Sequence, residues 1–142
     1  MDSAQCEIPD GFIAYRDMSP FLERIGPLFE RTHDGLRIIA TRICPHHCNR
    51  RGLAHGGLYT ALADIALGKN LSAAHDPPLA LLTSSLTVDF MASARIGDLL
   101  EAHTEFTRPG RRVAYANAYL HVGEKVVARA SAVFAVMERA EG

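Results

Sequence analysis

The sequence lacks the features that define several protein classes. It has no tryptophan and only three cysteines, at positions 6, 44 and 48, among its 142 residues. So few cysteines, and an odd number of them, exclude a disulfide framework and are typical of a reducing compartment, so we expect a cytoplasmic protein. No apolar run approaches the roughly 20 residues that span a bilayer, so we expect no membrane association. The acidic opening MDSAQCEIPD has no apolar centre and is not a signal peptide.

An excess of charge of one sign is also absent. Lys and Arg number 15 against 16 Asp and Glu, which leaves a formal charge of -1. This balance argues against nucleic acid as a partner, and any phosphate-bearing ligand must be held locally. Hydrophobic residues at 48% and charged residues at 22% are typical of a globular protein. We predict a single domain over residues 19–142, preceded by a loosely ordered tail over residues 1–18, where no period is sustained.

Turn and cap residues divide this domain into strands and one long helix. Ser19-Pro20 predicts the start of a short helix. Two apolar runs joined by His33-Asp34-Gly35 predict a β-hairpin. The stretch LYTALADIALGKNLSAA, which follows His55-Gly56-Gly57, predicts a helix of about five turns. Because this helix is apolar almost all round, we expect it to be buried.

In the rest of the chain, apolar and polar residues alternate with a period of two. In LLTSSLTVDFM it predicts a strand with Thr83, Ser85, Thr87 and Asp89 on one polar face. The last two strands carry alanine on one face, at positions 114, 116, 118, 128, 130 and 132. Such small side chains allow a helix to lie close to a sheet. The element order predicts an α+β fold, with one long helix wrapped by a curved, mostly antiparallel sheet of about six strands, which is the hotdog architecture.

The long helix contains an acid in apolar surroundings. Asp64 shares its helix face with small residues such as Gly57, Thr60 and Gly68, which leaves space beside the carboxylate. Burying a carboxylate costs several kcal/mol unless it is paired or functional. On these residues alone, a structural pairing with a lysine or backbone group and a catalytic role both stay open.

A candidate site is completed by three residues at or before the start of the long helix, namely Asn49, His55 and Gly56. Gly56 at the helix start presents unpaired N–H groups at the positive end of the helix dipole, where a developing oxyanion is stabilised. Glycine also permits the close approach of a ligand. Since glycine pairs are common, the interpretation depends on the combination with Asn49, His55 and Asp64.

The string NRRGLAHGGLYTALAD, from Asn49 to Asp64, resembles the signature of the hotdog thioesterase superfamily in its phenylacetic-acid-degradation (PaaI-like) branch. The resemblance extends from about Leu28 to Met137. It implies hydrolysis of an acyl-coenzyme A (acyl-CoA) substrate, aryl or fatty, with no metal, no cofactor and no serine nucleophile.

The resemblance also implies a role for each site residue. Asp64 acts as base or nucleophile, and both roles stay open. The Gly56 N–H contacts the oxyanion, and Asn49 positions the water or the carbonyl. Thr83 helps to orient the attacking water, and His55 is a structural partner of the loop rather than a proton shuttle.

The helix length constrains how these residues meet. Gly56 and Asp64 are separated by about 12 Å along the helix axis, too far for both to contact one thioester carbon. If both act, Asn49, His55 and Gly56 come from one subunit and Asp64 and Thr83 from its partner, in a two-fold homodimer. The resemblance implies that such dimers pair into tetramers.

Two further clusters have weaker interpretations. Arg108, Arg111 and Arg112 lie near one hairpin, where they either bind the phosphates of CoA or form a solvated turn. Gly57 is a further candidate for substrate binding. The segment Cys44-Pro-His-His-Cys48 contains four possible zinc ligands. Its spacing argues against zinc, because a structural site draws its second ligand pair from a distant segment.

Two other functions compete with hydrolysis. The same fold would also serve a non-catalytic protein that binds acyl-CoA or lipid. The joint presence of Asn49, Gly56 and Asp64 favours the enzyme. A hotdog dehydratase would need an Asp and His pair acting on the acyl chain, and the helix has no such pair.

Overall fold

The structure is a computed structural model, and it describes residues 7–137. One seven-stranded sheet packs against one long helix. In chain order the elements are β1 (Ile13–Ala14), α1 (Pro20–Ile25), β2 (Phe29–His33), β3 (Leu36–Arg42), a 3-10 turn (Pro45–His47), α2 (Gly56–Ala73), β4 (Ala80–Phe90), β5 (Leu99–Arg108), β6 (Val113–Val122) and β7 (Lys125–Met137). The predicted α+β hotdog fold is confirmed.

The sheet is antiparallel throughout, in the order β1-β2-β3-β5-β6-β7-β4. Helix α2 crosses its inner face and contacts every strand from β3 to β7. Strand β4 follows α2 in the chain but pairs with β7, so one of its edges is free of any strand within residues 7–137. No helix in this range is long and apolar enough to cross a bilayer.

The first elements follow local signals and add one strand to the predicted six. The Ser19 hydroxyl accepts a hydrogen bond from the Leu22 N–H at 3.3 Å, and Pro20 takes the first helical position, as expected for α1. Within the segment predicted as a tail, Ile13–Ala14 pair with β2 and Tyr15 is buried. Residues 1–6 of that segment, including Cys6, lie outside the described residues.

Alanine forms the floor beneath the helix. Ala116 pairs with Ala132 and Ala118 with Ala130 across β6 and β7, and all four side chains are buried. We call these residues the alanine floor. These small side chains allow the backbone of α2 to lie close to the sheet, as the alternating alanines predicted. The distance between helix and sheet in turn determines where the side chains of α2 contact β4.

Strand β4 contains an irregularity that the sequence pattern did not indicate. Its register with β7 shifts between Thr83, opposite Phe134, and Ser85, opposite Val133. Phe134 is buried beneath α2, and cross-strand partners share a face, so Thr83 lies on the helix side and Ser85 on the outer side. The prediction that Thr83 shares a polar face with Ser85, Thr87 and Asp89 is therefore wrong, because the bulge reverses the alternation.

Candidate active site

His55 caps helix α2 and separates the roles of the two glycines that follow. Its Nδ1 accepts a hydrogen bond from the Gly57 N–H at 2.8 Å. A Cβ on Gly57 would lie 3.1 Å from that Nδ1, so the missing side chain makes room for the cap. The Gly56 N–H has no acceptor within residues 7–137. The Gly56 N–H at the helix start is therefore available to a ligand.

The side-chain carbonyl oxygen of Asn49 stabilises the loop before helix α2. This oxygen, Oδ1, accepts hydrogen bonds from the backbone N–H groups of Arg51, at 2.9 Å, and Leu53, at 3.2 Å. Two donors on one atom identify that atom as the oxygen, so the other is the Nδ2 amide. Within the described chain nothing accepts from this Nδ2. Asn49 therefore presents a second unused donor.

Asn49 and Gly56 line the same cleft, which has a volume of about 370 Å³. Tyr59, Phe90 and Met91 form other parts of its wall. We call it the amide cleft. It places two hydrogen-bond donors beside exposed apolar side chains, an arrangement suited to a carbonyl oxygen attached to an apolar group.

His47 anchors this half of the site from beneath. Its Nδ1 accepts a hydrogen bond from the Cys44 N–H at 2.9 Å, its Nε2 lies 2.5 Å from the Ile25 carbonyl, and its own carbonyl accepts the His55 N–H at 2.8 Å. Burial lowers the pKa of His47. A neutral ring thus ties the end of α1 to the residue that caps α2.

The candidate zinc ligands form part of this anchor. The ligand atoms of Cys44, His46 and His47 lie within 4.8 Å of one another. Both ring nitrogens of His47 contact backbone groups, however, and the His46 Nε2 lies 2.6 Å from the Gly26 carbonyl. A metal ion at this position would have to displace those contacts.

Asp64 and Thr83 meet on the other side of the helix. The Thr83 hydroxyl donates a hydrogen bond to Asp64 Oδ1 at 2.8 Å. Both residues line a second cleft of about 370 Å³, which we call the acid cleft. Asp64 is half-buried rather than fully buried because Gly68 and the open cleft leave its face of α2 uncovered.

Asp64 forms no ion pair within residues 7–137. Lys69, the nearest lysine along the helix, pairs with Asp17 instead. Within these residues, therefore, no lysine neutralises Asp64, and its side-chain partner is Thr83. The carboxylate keeps its second oxygen, Oδ2, free of protein hydrogen bonds in the described chain.

The predicted site residues therefore fall into two groups in one chain. Asn49 and Gly56 share the amide cleft, and Asp64 and Thr83 share the acid cleft, with no lining residue in common. Tyr15 and Asp17 also line the acid cleft, and sequence reasoning missed them. They lie in a segment without periodicity, which carries no local signal of contact with a helix about 50 residues away.

The arginine hairpin lies beyond the outer end of the acid cleft. Arg108, Arg111 and Arg112 are exposed. Arg111 lines a depression of about 440 Å³ together with His75 and Leu79, and Leu79 also lines the acid cleft. The two depressions therefore adjoin at Leu79.

Comparisons with known proteins agree with these observations. The family model described as Thioesterase superfamily matches residues 51–128. A Pseudomonas aeruginosa protein named "Putative esterase PA0474" is 45% identical over 129 residues, which cover 89% of this chain and 96% of that protein.

Solved structures share the fold. The phenylacetic acid degradation protein PaaI of Thermus thermophilus, solved as a point mutant, superposes with a TM-score of 0.73 at 24% identity, over 84% of this chain and 100% of that chain. The BH2602 protein of Bacillus halodurans, solved with CoA, gives a TM-score of 0.64 at 21% identity, over 70% of this chain and 66% of that chain.

Proposed function

The chain belongs to the thioesterase superfamily, and from this premise we propose that it hydrolyses an aryl- or fatty-acyl-CoA to the free acid and CoA. The observation that carries the proposal is the 2.8 Å hydrogen bond from Thr83 to Asp64 in an open cleft. It fixes the orientation of an acid that has no ion-pair partner in the described chain. The Bacillus halodurans relative in fold was solved with CoA, which supports this class of substrate.

Two subunits assemble each site in this proposal. Strand β4 has 11 residues and a free edge, which stable proteins cover. Thr83 in the acid cleft and Phe90 in the amide cleft lie towards opposite ends of β4. If a second copy pairs antiparallel along β4 about a two-fold axis, the acid end of one strand meets the amide end of the other. Asp64 of one subunit and Gly56 of the other can then contact the same substrate, although the two residues are about 12 Å apart along α2 within one subunit.

Dimers of this kind pair further through the outer face of the sheet. Phe106, Tyr115 and Tyr119 are exposed there, at 51%, 48% and 41% of their surfaces. Such a contiguous apolar patch is typical of an interaction surface. We assign it to the contact between two dimers.

Hydrolysis follows from the atoms on the two sides. The Gly56 N–H and Asn49 Nδ2 of the partner subunit hold the thioester oxygen as it becomes an oxyanion. Asp64 Oδ2 either takes a proton from the attacking water or attacks the carbonyl carbon itself. In the second route the thiolate leaves, and water then opens the mixed anhydride. Thr83 orients the carboxylate in both routes. CoA leaves as a weakly basic thiolate, so no strong general acid is needed.

The remaining site residues support binding. His55 keeps α2 capped, so its role is structural. Gly57, whose N–H is used by that cap, offers bare backbone for close approach of the substrate. Arg108, Arg111 and Arg112 hold the phosphates of CoA, since forked guanidinium groups match phosphate oxygens.

Release of CoA thiol from a panel of aryl and aliphatic CoA esters tests the proposal. We expect Asp64→Asn to lower kcat by about 100- to 10,000-fold, because the amide is neither base nor nucleophile. Asp34→Asn is the matched control, since Asp34 lies exposed in the β2–β3 turn at φ 50, a conformation that asparagine tolerates.

Unchanged turnover in Asp64→Asn would contradict the mechanism. A wild-type protein that binds CoA esters tightly but releases no thiol would favour the non-catalytic alternative.

A further inference from the structure

A charged pair lines the acid cleft without taking part in the mechanism above. Lys69 is one of two lysines in the chain and the one basic residue in helix α2. Its ammonium group pairs with the Asp17 carboxylate and lies 5.9 Å from the centre of the Tyr15 ring. All three residues line the acid cleft. The N-terminal segment, which lies outside the family match, therefore supplies one wall of the candidate active site.

The pair lies between the proposed reaction centre and the proposed phosphate site. Asp64, Gly68 and Ser72 follow one another along α2, and the first and last are about 12 Å apart. At the far end, the Ser72 hydroxyl donates to the Leu79 carbonyl at 2.6 Å and fixes the residue that the acid cleft shares with the Arg111 depression. A CoA ester that contacts both Arg111 and Asp64 would lie along this stretch of α2, on which Lys69 is mounted.

The ring of Phe134 lies behind Gly68 in the floor of this cleft. A Cβ there would meet nothing closer than the Phe134 ring, at 3.7 Å. Lys69 and Asp17 keep 30% and 68% of their side-chain surfaces exposed. Both charged groups can therefore be reached by a ligand lying in the cleft.

We propose that the Asp17–Lys69 pair binds the pantetheine arm of CoA, an inference that rests on the proposed function. An ammonium group has three donors and a carboxylate about four acceptor positions, so the pair keeps unused capacity of both kinds. A secondary amide of the arm donates its N–H to Asp17 and accepts from Lys69 through its carbonyl oxygen. The Tyr15 ring holds the ammonium group in place by a cation–π contact.

The chemistry of the pair argues against the phosphates and the acyl group as its ligands. A phosphate would gain from Lys69 but be repelled by Asp17, whereas the arginine hairpin carries no such opposing charge. An alkyl or aryl group would remove water from both charges and replace none of their hydrogen bonds. An uncharged polar chain is the part of an acyl-CoA that fits.

The test uses Lys69→Met and Asp17→Leu in the full-length protein, with Lys125→Met as the matched control, because Lys125 is the exposed first residue of β7. Each enzyme is assayed with two acyl-CoA esters of different acyl groups and with the same acyl groups esterified to ethanethiol. We expect both variants to lower kcat/KM on the CoA esters roughly tenfold, mainly through KM. We expect no change on the ethanethiol esters, and Lys69→Arg should keep the wild-type KM.

Two results of the turnover assay would overturn the inference. An equal loss on the ethanethiol esters would mean that the pair shapes the reaction centre, and a loss that depends on the acyl group would mean that it faces the acyl chain. The dissociation constant of CoA itself, measured by calorimetry, requires no turnover. If wild-type protein hydrolyses no thioester, the proposed function fails, whereas a roughly tenfold weaker binding of CoA to both variants would still support the pantetheine site. Unchanged CoA binding would reject that site.

Discussion

The acid cleft and the amide cleft are built in different ways. The acid cleft depends on one contact between side chains, from Thr83 on a strand to Asp64 in the middle of a helix. The amide cleft depends on polar loop contacts, in which His47, His55 and Asn49 hold backbone groups. The acid cleft is therefore sensitive to the register of β4. The amide cleft is sensitive to the loss of a single N–H group or to protonation of a histidine. Each half can therefore be disabled without disturbing the other.

Removing the Gly56 N–H should disable the amide half alone and give the largest loss of activity that a change in this half can cause. Gly56→Pro deletes this donor at the first helical position, where proline is favoured, and His55 already has the extended conformation that precedes proline (φ -66, ψ 140). We expect a loss of about 100- to 1,000-fold in kcat, as for one oxyanion donor. Thiol release under saturating substrate measures it.

Gly56→Ala is the control for the added atoms. Its Cβ lies 3.3 Å from the Phe90 ring, as a proline Cβ does, but the N–H remains. Phe90 is 55% exposed and can move. Equal losses in the two variants would show that crowding, and not the missing donor, lowers the activity.

Combining defects from the two halves tests whether they belong to one composite site. A heterodimer of Asp64→Asn and Gly56→Pro subunits contains one intact site and one doubly defective site, if each site takes one half from each subunit. We expect purified heterodimers, carrying two different affinity tags, to recover about half of the wild-type activity.

Heterodimers of Asp64→Asn and Thr83→Val provide the control. Both changes affect the acid half, so each site keeps a defect and no recovery is expected. Recovery in this control, or its absence in the first heterodimer, would contradict the shared site.

A lower pH should destabilise the amide half, with a smaller effect than the substitutions above. Burial lowers the pKa of His47 below its ordinary 6.5. As the pH falls through about 6.5, His47 binds a proton in the unfolded chain but not yet in the folded protein. The free energy of unfolding therefore falls until the pH reaches the pKa of His47 in the folded protein. Urea midpoints measured between about pH 7 and 5 should decrease less steeply for His47→Gln than for the wild type.

The proton uptake must be assigned to His47 itself. Burial also lowers the pKa of His121, whose ring contacts His103 and makes none of the hydrogen bonds that hold the amide half in the described chain. His121→Gln should keep the contribution of His47. An unchanged slope in His47→Gln would contradict the assignment.

The fold was largely predictable because its signals are local. The Ser19 cap and the alternating alanines each act over a few residues, and both are confirmed. The family is confirmed as well, since the segment from Asn49 to Asp64 overlaps the matched region. The two-residue strand at Ile13–Ala14 was not predicted, because so short a segment has no period.

The less predictable features depend on contacts between distant segments. Thr83 and Ser85 belong to an unbroken alternating pattern, and only the packing of Phe134 and Val133 on the neighbouring strand reveals the bulge. Asp17 and Lys69 lie far apart in the sequence, and neither has a neighbour along the chain that indicates the other. Asp64, Gly56 and Thr83 were found as candidates, and their catalytic roles stay predictions.

The alanine floor has a consequence for how such a protein can change over time. A larger side chain at Ala116 or Ala132 would lift the helix and move every group mounted on it, so this region tolerates little variation. The wall contributed by Tyr15 and Asp17 is attached at the rim and can be remodelled without shifting the helix. New ligand preferences can therefore arise by exchanging the rim, while the reacting groups keep their inherited spacing.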